Sequence, residues 1–126
     1  MEACSDLASF GLIKSVKDGY PYPELTKGYF RTPYYVICLK DDIILEPHSS
    51  SVQSTGIIME VPKHCIAVVQ TAYKPNACLV EERYYAHSHG EFELKLKCEN
   101  PTEERVHVYG SFQIAHLFLY QLNDNK

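Results

Sequence analysis

Tryptophan is absent, methionine occurs twice, and neither a Cys-x-x-Cys pair nor a cluster of basic residues appears anywhere in the 126 residues. Without a basic run the usual means of neutralising phosphates is missing, and twelve Lys and Arg against sixteen Asp and Glu leave a formal charge of -4. Nucleic acid is therefore not an expected partner. Long apolar runs are also missing: the best, Ile114–Tyr120, is interrupted by His116 and falls far short of the ~20 residues that cross a bilayer. The opening residues Met1-Glu2-Ala3-Cys4-Ser5-Asp6 carry acids where a secretory signal needs a basic segment followed by an apolar one. The expectation is an intracellular chain, in cytoplasm, nucleus or both, with no membrane partner. Five cysteines (Cys4, Cys38, Cys65, Cys78, Cys98), odd in number and evenly spread, fit reduced, packed thiols better than a disulfide framework.

What is present points to strands. A chain of this length makes one domain able to bury roughly 65–70% of its unfolded surface. Ten Tyr and many β-branched residues fall in short runs separated by Pro, Gly, Asn and Ser. Two apolar clusters between Tyr34 and Leu45, divided by Lys40-Asp41-Asp42, predict two strands joined by a charged bend. Val52–Pro62 reads as a strand broken at Gly56 and closed by Pro62, and Cys65–Thr71 as another. Glu91–Lys97 alternates charged residues with Phe92, Leu94 and Leu96, the clearest half-buried strand in the chain. Glu99–Glu104 reads as a solvated hairpin turn, Lys74-Pro75-Asn76 as a loop, and Arg105–Tyr109 and Gln113–Leu122 as the last strands. The one helical candidate is Ser5–Leu12, weakened by Gly11. Seven or eight short strands predict an all-β jelly roll or β-sandwich. Its parts are an N-terminal extension and first strand (1–33), the β domain (34–122) and a short tail (123–126).

Few residues suggest chemistry by spacing alone. His87-Ser88-His89 with Glu91 gathers two imidazoles and a carboxylate within five residues. Zinc, however, wants ligands converging from separate segments, and residues 87 and 89 on an extended segment share one face, so an exposed polar loop is the plainer reading. No local signature supports pairing Cys65 or Cys98 with a histidine as a nucleophile. Tyr20, Tyr22, Tyr29, Phe30, Tyr34 and Tyr35 crowd the first third, interleaved with Pro21, Pro23 and Pro33. They either cover sheet edges and fill core or form an aromatic surface for another protein.

The order of landmarks from Tyr35 onward resembles the trimeric dUTPases, jelly-roll enzymes that hydrolyse dUTP to dUMP and pyrophosphate. Leu45-Glu46-Pro47 and Thr55-Gly56-Ile57 through Val61-Pro62 stand for the family's Ile-Pro bend, Thr-Gly-Ile strand and Ile-Pro exit. Ala72-Tyr73-Lys74, Gly90-Glu91 and Ile114-Ala115-His116-Leu117 are similar to its Leu-Ala-x-Lys, Arg-Gly-Glu and Ile-Ala-Gln-Leu segments. The likeness covers about two thirds of the chain.

That resemblance also implies which chemistry to look for, and the matching positions carry other residues. Val36 stands at the Asp that helps place the metal-bound triphosphate, and Val68–Thr71 at the phosphate-facing Arg-Ser-Gly. Tyr85 stands at the water-activating Asp, Ser88 at the Tyr that stacks under uracil, and Ser111-Phe112-Gln113 at Gly-Asp-Arg. Only Asn123–Lys126 stands where a glycine-rich lid is expected. A phenol of pKa ~10 cannot serve as the carboxylate base at neutral pH, and losing a general base alone typically costs 10²–10⁴ in rate. The expectation is a non-enzymatic relative with no catalytic, nucleotide or metal residues and no cofactor, with Val36, Tyr85, Ser88 and Gln113 as degenerate site positions. It would act by protein contact as a viral accessory or host-interaction protein, in the manner of the dUTPase-derived early proteins of adenoviruses. Tyr20, Tyr22, Tyr29, His87 and His89 are the candidate contact residues. The partner would be an unidentified host or viral protein, and the resemblance implies a homotrimer or other homo-oligomer. Two other readings stay open: a remodelled pocket using Arg83, His87 and His89 to bind or hydrolyse a nucleotide, and a structural assembly subunit.

Overall fold

The computed structural model describes residues 2–4, 7–27, 32–72 and 78–122. These form twelve strands: β1 (Glu2–Ala3), β2 (Ile13–Val16), β3 (Glu24–Lys27), β4 (Pro33–Cys38), β5 (Ile43–Leu45), β6 (Ser50–Met59), β7 (Cys65–Thr71), β8 (Leu79–Val80), β9 (Arg83–Ala86), β10 (Phe92–Glu99), β11 (Val106–Val108) and β12 (Gln113–Gln121). A six-stranded sheet runs β3-β4-β12-β7-β9, with β1 also paired to β12; a second sheet runs β2-β6-β10-β8; β11 and β5 make a separate ribbon. All pairings are antiparallel, and the result is the all-β sandwich expected from the alternating pattern.

Period two places the core. Along β10, Leu94, Leu96 and Cys98 are buried while Lys95 is exposed. Along β12, Ala115, Leu117 and Leu119 join Ile37, Ala67 and Val69 of the neighbouring strands to meet Ile57, Met59, Leu94 and Leu96 of the second sheet. Leu45 and Val108 of the ribbon complete this core with Cys4, Leu7 and Leu12 from the N-terminal segment. All five cysteines stand outside any disulfide, and all but Cys38 are buried.

Several expectations need correction. The Val52–Pro62 strand is not broken at Gly56 but bulged: Glu93 pairs with Ile58 and Lys95 with Ser54, so Thr55–Ile57 stand opposite Leu94 alone. Gly56 takes φ +73, and a Cβ there would overlap the Tyr20 ring. The Ser5–Leu12 helix reduces, among the described residues, to a 3-10 turn over Leu7–Phe10. Glu99–Glu104 is not a hairpin, because β10 pairs with β6 and β8 whereas β11 pairs with β5. It is a crossing between sheets, pinned by buried Asn100. The Asn100 amide donates to the Leu45, Glu46 and Glu104 carbonyls at 2.7–3.1 Å, while its oxygen accepts from the Thr102 amide and hydroxyl. The loop at Lys74-Pro75-Asn76 and the 123–126 tail lie outside the described residues. From residues 1–33, three strands enter both sheets: β1 and β3 join the larger and β2 the smaller.

The bulge is held by one carboxylate. Glu93 accepts from the Ser54 hydroxyl, from the Gly56 amide at 3.1 Å and from Lys17 Nζ at 2.8 Å. Lys17 first, then Ser54 and Gly56, hold the Glu93 carboxyl down at about 2 from an ordinary 4.5. A depressed carboxyl stabilises the fold above its unfolded value near 4.5 and loses that contribution as pH falls toward 2. With Lys17 half exposed and screened by solvent, Glu93→Gln is expected to cost about 1–2 kcal/mol at pH 7 and progressively less between pH 4.5 and 2, read from urea midpoints across that range.

Candidate functional site

The face of the six-stranded sheet turned away from the core carries the cluster that needs explaining. Register places Glu24 opposite Val36, Val36 opposite His116, and His116 opposite Gln70, one row across β3, β4, β12 and β7. In the next row Phe118 faces Val68, which faces Tyr84, with the Tyr34 ring 5.2 Å from Phe118. Tyr120 and Ile66 follow. Tyr34 lies 4.3 Å from the His116 ring, and Phe118 stacks near-parallel on Tyr120 at 6.2 Å. Val36 and Val68 are buried beneath these neighbours although neither belongs to the core of the sandwich. Burial lowers the His116 pKa, and its Nε2 lies 3.1 Å from the Gln113 amide oxygen.

The segment after β9 faces differently. Tyr85 points into the core, 4.8 Å from Phe92 and 5.3 Å from His89, and burial pushes its phenol further up. Tyr84 points outward and bonds to Glu82. His87, Ser88 and His89 form a 3-10 turn, closed by Gly90 at φ +68, and not an extended segment. The two imidazoles are engaged separately: His87 Nδ1 lies 2.7 Å from the Val61 carbonyl, and His89 Nδ1 accepts the Ala86 amide at 3.3 Å. Ser88 is exposed. No group of three or more His, Cys, Asp or Glu side chains among the described residues is gathered so as to hold a metal ion. No helix of the described residues is long and apolar enough to cross a membrane.

No protein-family profile matches the sequence, and no curated protein matches it. Solved structures do. The dUTPase of Staphylococcus bacteriophage 80alpha is similar at TM-score 0.75 and 12% identity, over 90% of this chain and 91% of that one. A point mutant of the dUTPase from phage phi11 of S. aureus, described for the coordination of a structural Mg(II) ion, gives 0.73 and 11% over 90% and 92%. The phi11 dUTPase described for its species-specific insert gives 0.74 and 10% over 90% and 91%. The fold is the dUTPase fold.

Within the dUTPase fold, the positions singled out from sequence divide into two groups. Val36 and Gln113 lie around His116 on the outer sheet face, with Gln70 across the strand. Tyr85 is buried behind that sheet, and Ser88 sits on the turn beyond it. Of the candidate contact residues, Tyr22 is 76% exposed, whereas Tyr20 seats its ring against Gly56 with Lys40 Nζ 4.9 Å from the ring centre. His87 and His89 lie on the 3-10 turn, and Tyr29 lies outside the described residues. The reading from sequence missed the ladder of His116, Phe118 and Tyr120. Its signal was available: a strand whose second face is also apolar or aromatic is covered on both sides. Titrating the His116 ring by NMR is expected to give a midpoint below 6.5. Because charging this ring is harder in the folded state, His116 contributes stability above pH 6.5 that is lost as pH falls below it.

Proposed function

We propose that this chain is a catalytically inactive dUTPase relative that acts through protein contact, as a viral accessory or host-interaction protein, and self-associates through the outer face of its larger sheet. The observation that carries the reading is the row Glu24, Val36, His116, Gln70. Where the resemblance places metal- and phosphate-handling groups, this row offers isopropyl, imidazole and amide side chains inside an aromatic ladder, and its one carboxylate stands on β3, separated from His116 by β4. Mg²⁺ wants near-octahedral oxygen ligation with carboxylates, and these residues do not fit it. The phenol at the position matched to the general base is enclosed in the core with its pKa raised, so it neither meets a ligand on the outer face nor takes its proton.

An aromatic sheet face of this extent is costly to leave in water, and a second copy is the cover that the dUTPase resemblance suggests. A dUTPase fold engaged in regulation has a parallel in the phage 80alpha protein, described as controlling transfer of virulence genes by a proto-oncogenic G protein-like mechanism. The phage origin of the similar structures accords with a viral source.

Two measurements test the reading. Incubated with dUTP and Mg²⁺, the protein is expected to release no pyrophosphate above the uncatalysed level; turnover at an ordinary enzymatic rate of about 1 s⁻¹ or more overturns the inactive assignment. Light scattering is expected to give a multiple of the 14.4 kDa chain. Phe118→Ser combined with Tyr120→Ser is expected to shift it to monomer with the far-ultraviolet spectrum unchanged, and a monomeric wild type removes the self-association.

A further inference from the structure

A second surface lies away from the aromatic ladder. A groove of about 680 Å³ runs between the β2–β3 loop, the β4–β5 bend and the β11–β12 turn. Its walls are fixed in advance. Tyr20 is wedged against Gly56 beneath Lys40. Tyr109 stacks on His107 at 4.3 Å and meets the edge of Phe112 at 5.2 Å. Asp42 ties the far side together, accepting the Gly110 amide at 2.8 Å and lying 3.1 Å from His107 Nε2. A Cβ on Gly110 would come within 3.1–3.2 Å of the Leu39 and Lys40 carbonyls, so the turn packs directly on the bend. Tyr109 and Phe112 are nonetheless 45% and 39% exposed.

The groove's chemistry selects its occupant. Tyr20, Tyr109, Ser111 and Lys40 in its lining carry hydroxyl and ammonium donors, while both Asp42 oxygens are engaged. A polyproline II strand is the complement, because it offers bare carbonyl acceptors, few N–H groups and flat rings that pack on tyrosine. Asp42 in the lining and Asp41 beside Lys40 on the same bend outnumber that one ammonium, which opposes a polyphosphate and favours a basic flanking residue.

We infer that this groove binds a proline-rich segment of a partner protein carrying Arg or Lys at one flank. The inference rests on the protein-contact reading and names the partner's chemistry. The test is an NMR titration of the full chain with ten-residue Pro-x-x-Pro peptides carrying either an Arg or a Glu flank, and in parallel with dUMP. Expected are amide shifts confined to Tyr20, Lys40 and Tyr109–Phe112, half-saturation below about 1 mM, and weaker binding of the Glu-flanked peptide. Tyr109→Ala is expected to weaken binding at least about tenfold. Asp41→Lys, at an exposed position, is expected to invert the flank preference and keeps the test open should the first variant unfold. No shift at 1 mM, shifts on the β12 face instead, or groove shifts with dUMP but not peptide overturn the inference. Failure here with no dUTP turnover sinks the groove alone; turnover together with peptide binding sinks the inactive assignment and leaves the groove standing.

Discussion

β12 is hydrogen-bonded along both edges, to β4 and β1 on one side and β7 on the other, and because it carries apolar or aromatic side chains on both faces, neither face can be left to water cheaply. Leu117 and Leu119 fill the sandwich; His116, Phe118 and Tyr120 cover the opposite side. The rest of the large sheet follows from this two-sided demand. Val36 and Val68 are buried under the ladder and not in the core, Tyr34 turns its ring onto His116, and His116 loses proton affinity because its surroundings are apolar.

The smaller sheet depends on a different device. An unbulged β6 would carry Thr55–Ile57 in register with β10 and leave no seat for Tyr20. The bulge takes a positive φ at Gly56, turns the Gly56 amide toward Glu93, and bonds the buried Thr55 hydroxyl to the Leu94 carbonyl at 2.6 Å. Glycine takes that φ without strain, and the charged, multiply bonded carboxylate satisfies the donors the bulge leaves unpaired. The same bulge seats Tyr20 and so one wall of the groove, which links sheet geometry to surface chemistry through that single contact.

The sequence discloses unevenly how these parts arise. Strict alternation in Glu91–Lys97 and the apolar runs of β4 and β7 were legible because burial on one or both faces stamps a period on the residues. β2 and β3 were not, since Ile13-Lys14-Ser15-Val16 and Glu24-Leu25-Thr26-Lys27 are short edge strands with too little apolar content to stand out. The crossing at Asn100 was misread as a hairpin because pairing partners distant in the chain leave no local trace. The site was legible only as positions within a resemblance: that Val36, Gln70 and His116 share a row while Tyr85 turns inward depends on register, which residue types alone do not reveal.

Register also explains how one scaffold can persist at 10–12% identity. The sandwich needs alternation, a bulge and a capped crossing, none of which depends on what β4 and β12 carry on the outer face. Carboxylates and guanidinium groups in the middle of a sheet repel or lose solvation until a ligand arrives, so function, not stability, keeps them there. On the proposed reading, replacing them with valine, histidine and aromatic rings relieves that local cost and in the same step creates an apolar face that water does not satisfy. Loss of chemistry and gain of a contact surface are then one physical change seen from two sides, and self-association is its expected consequence.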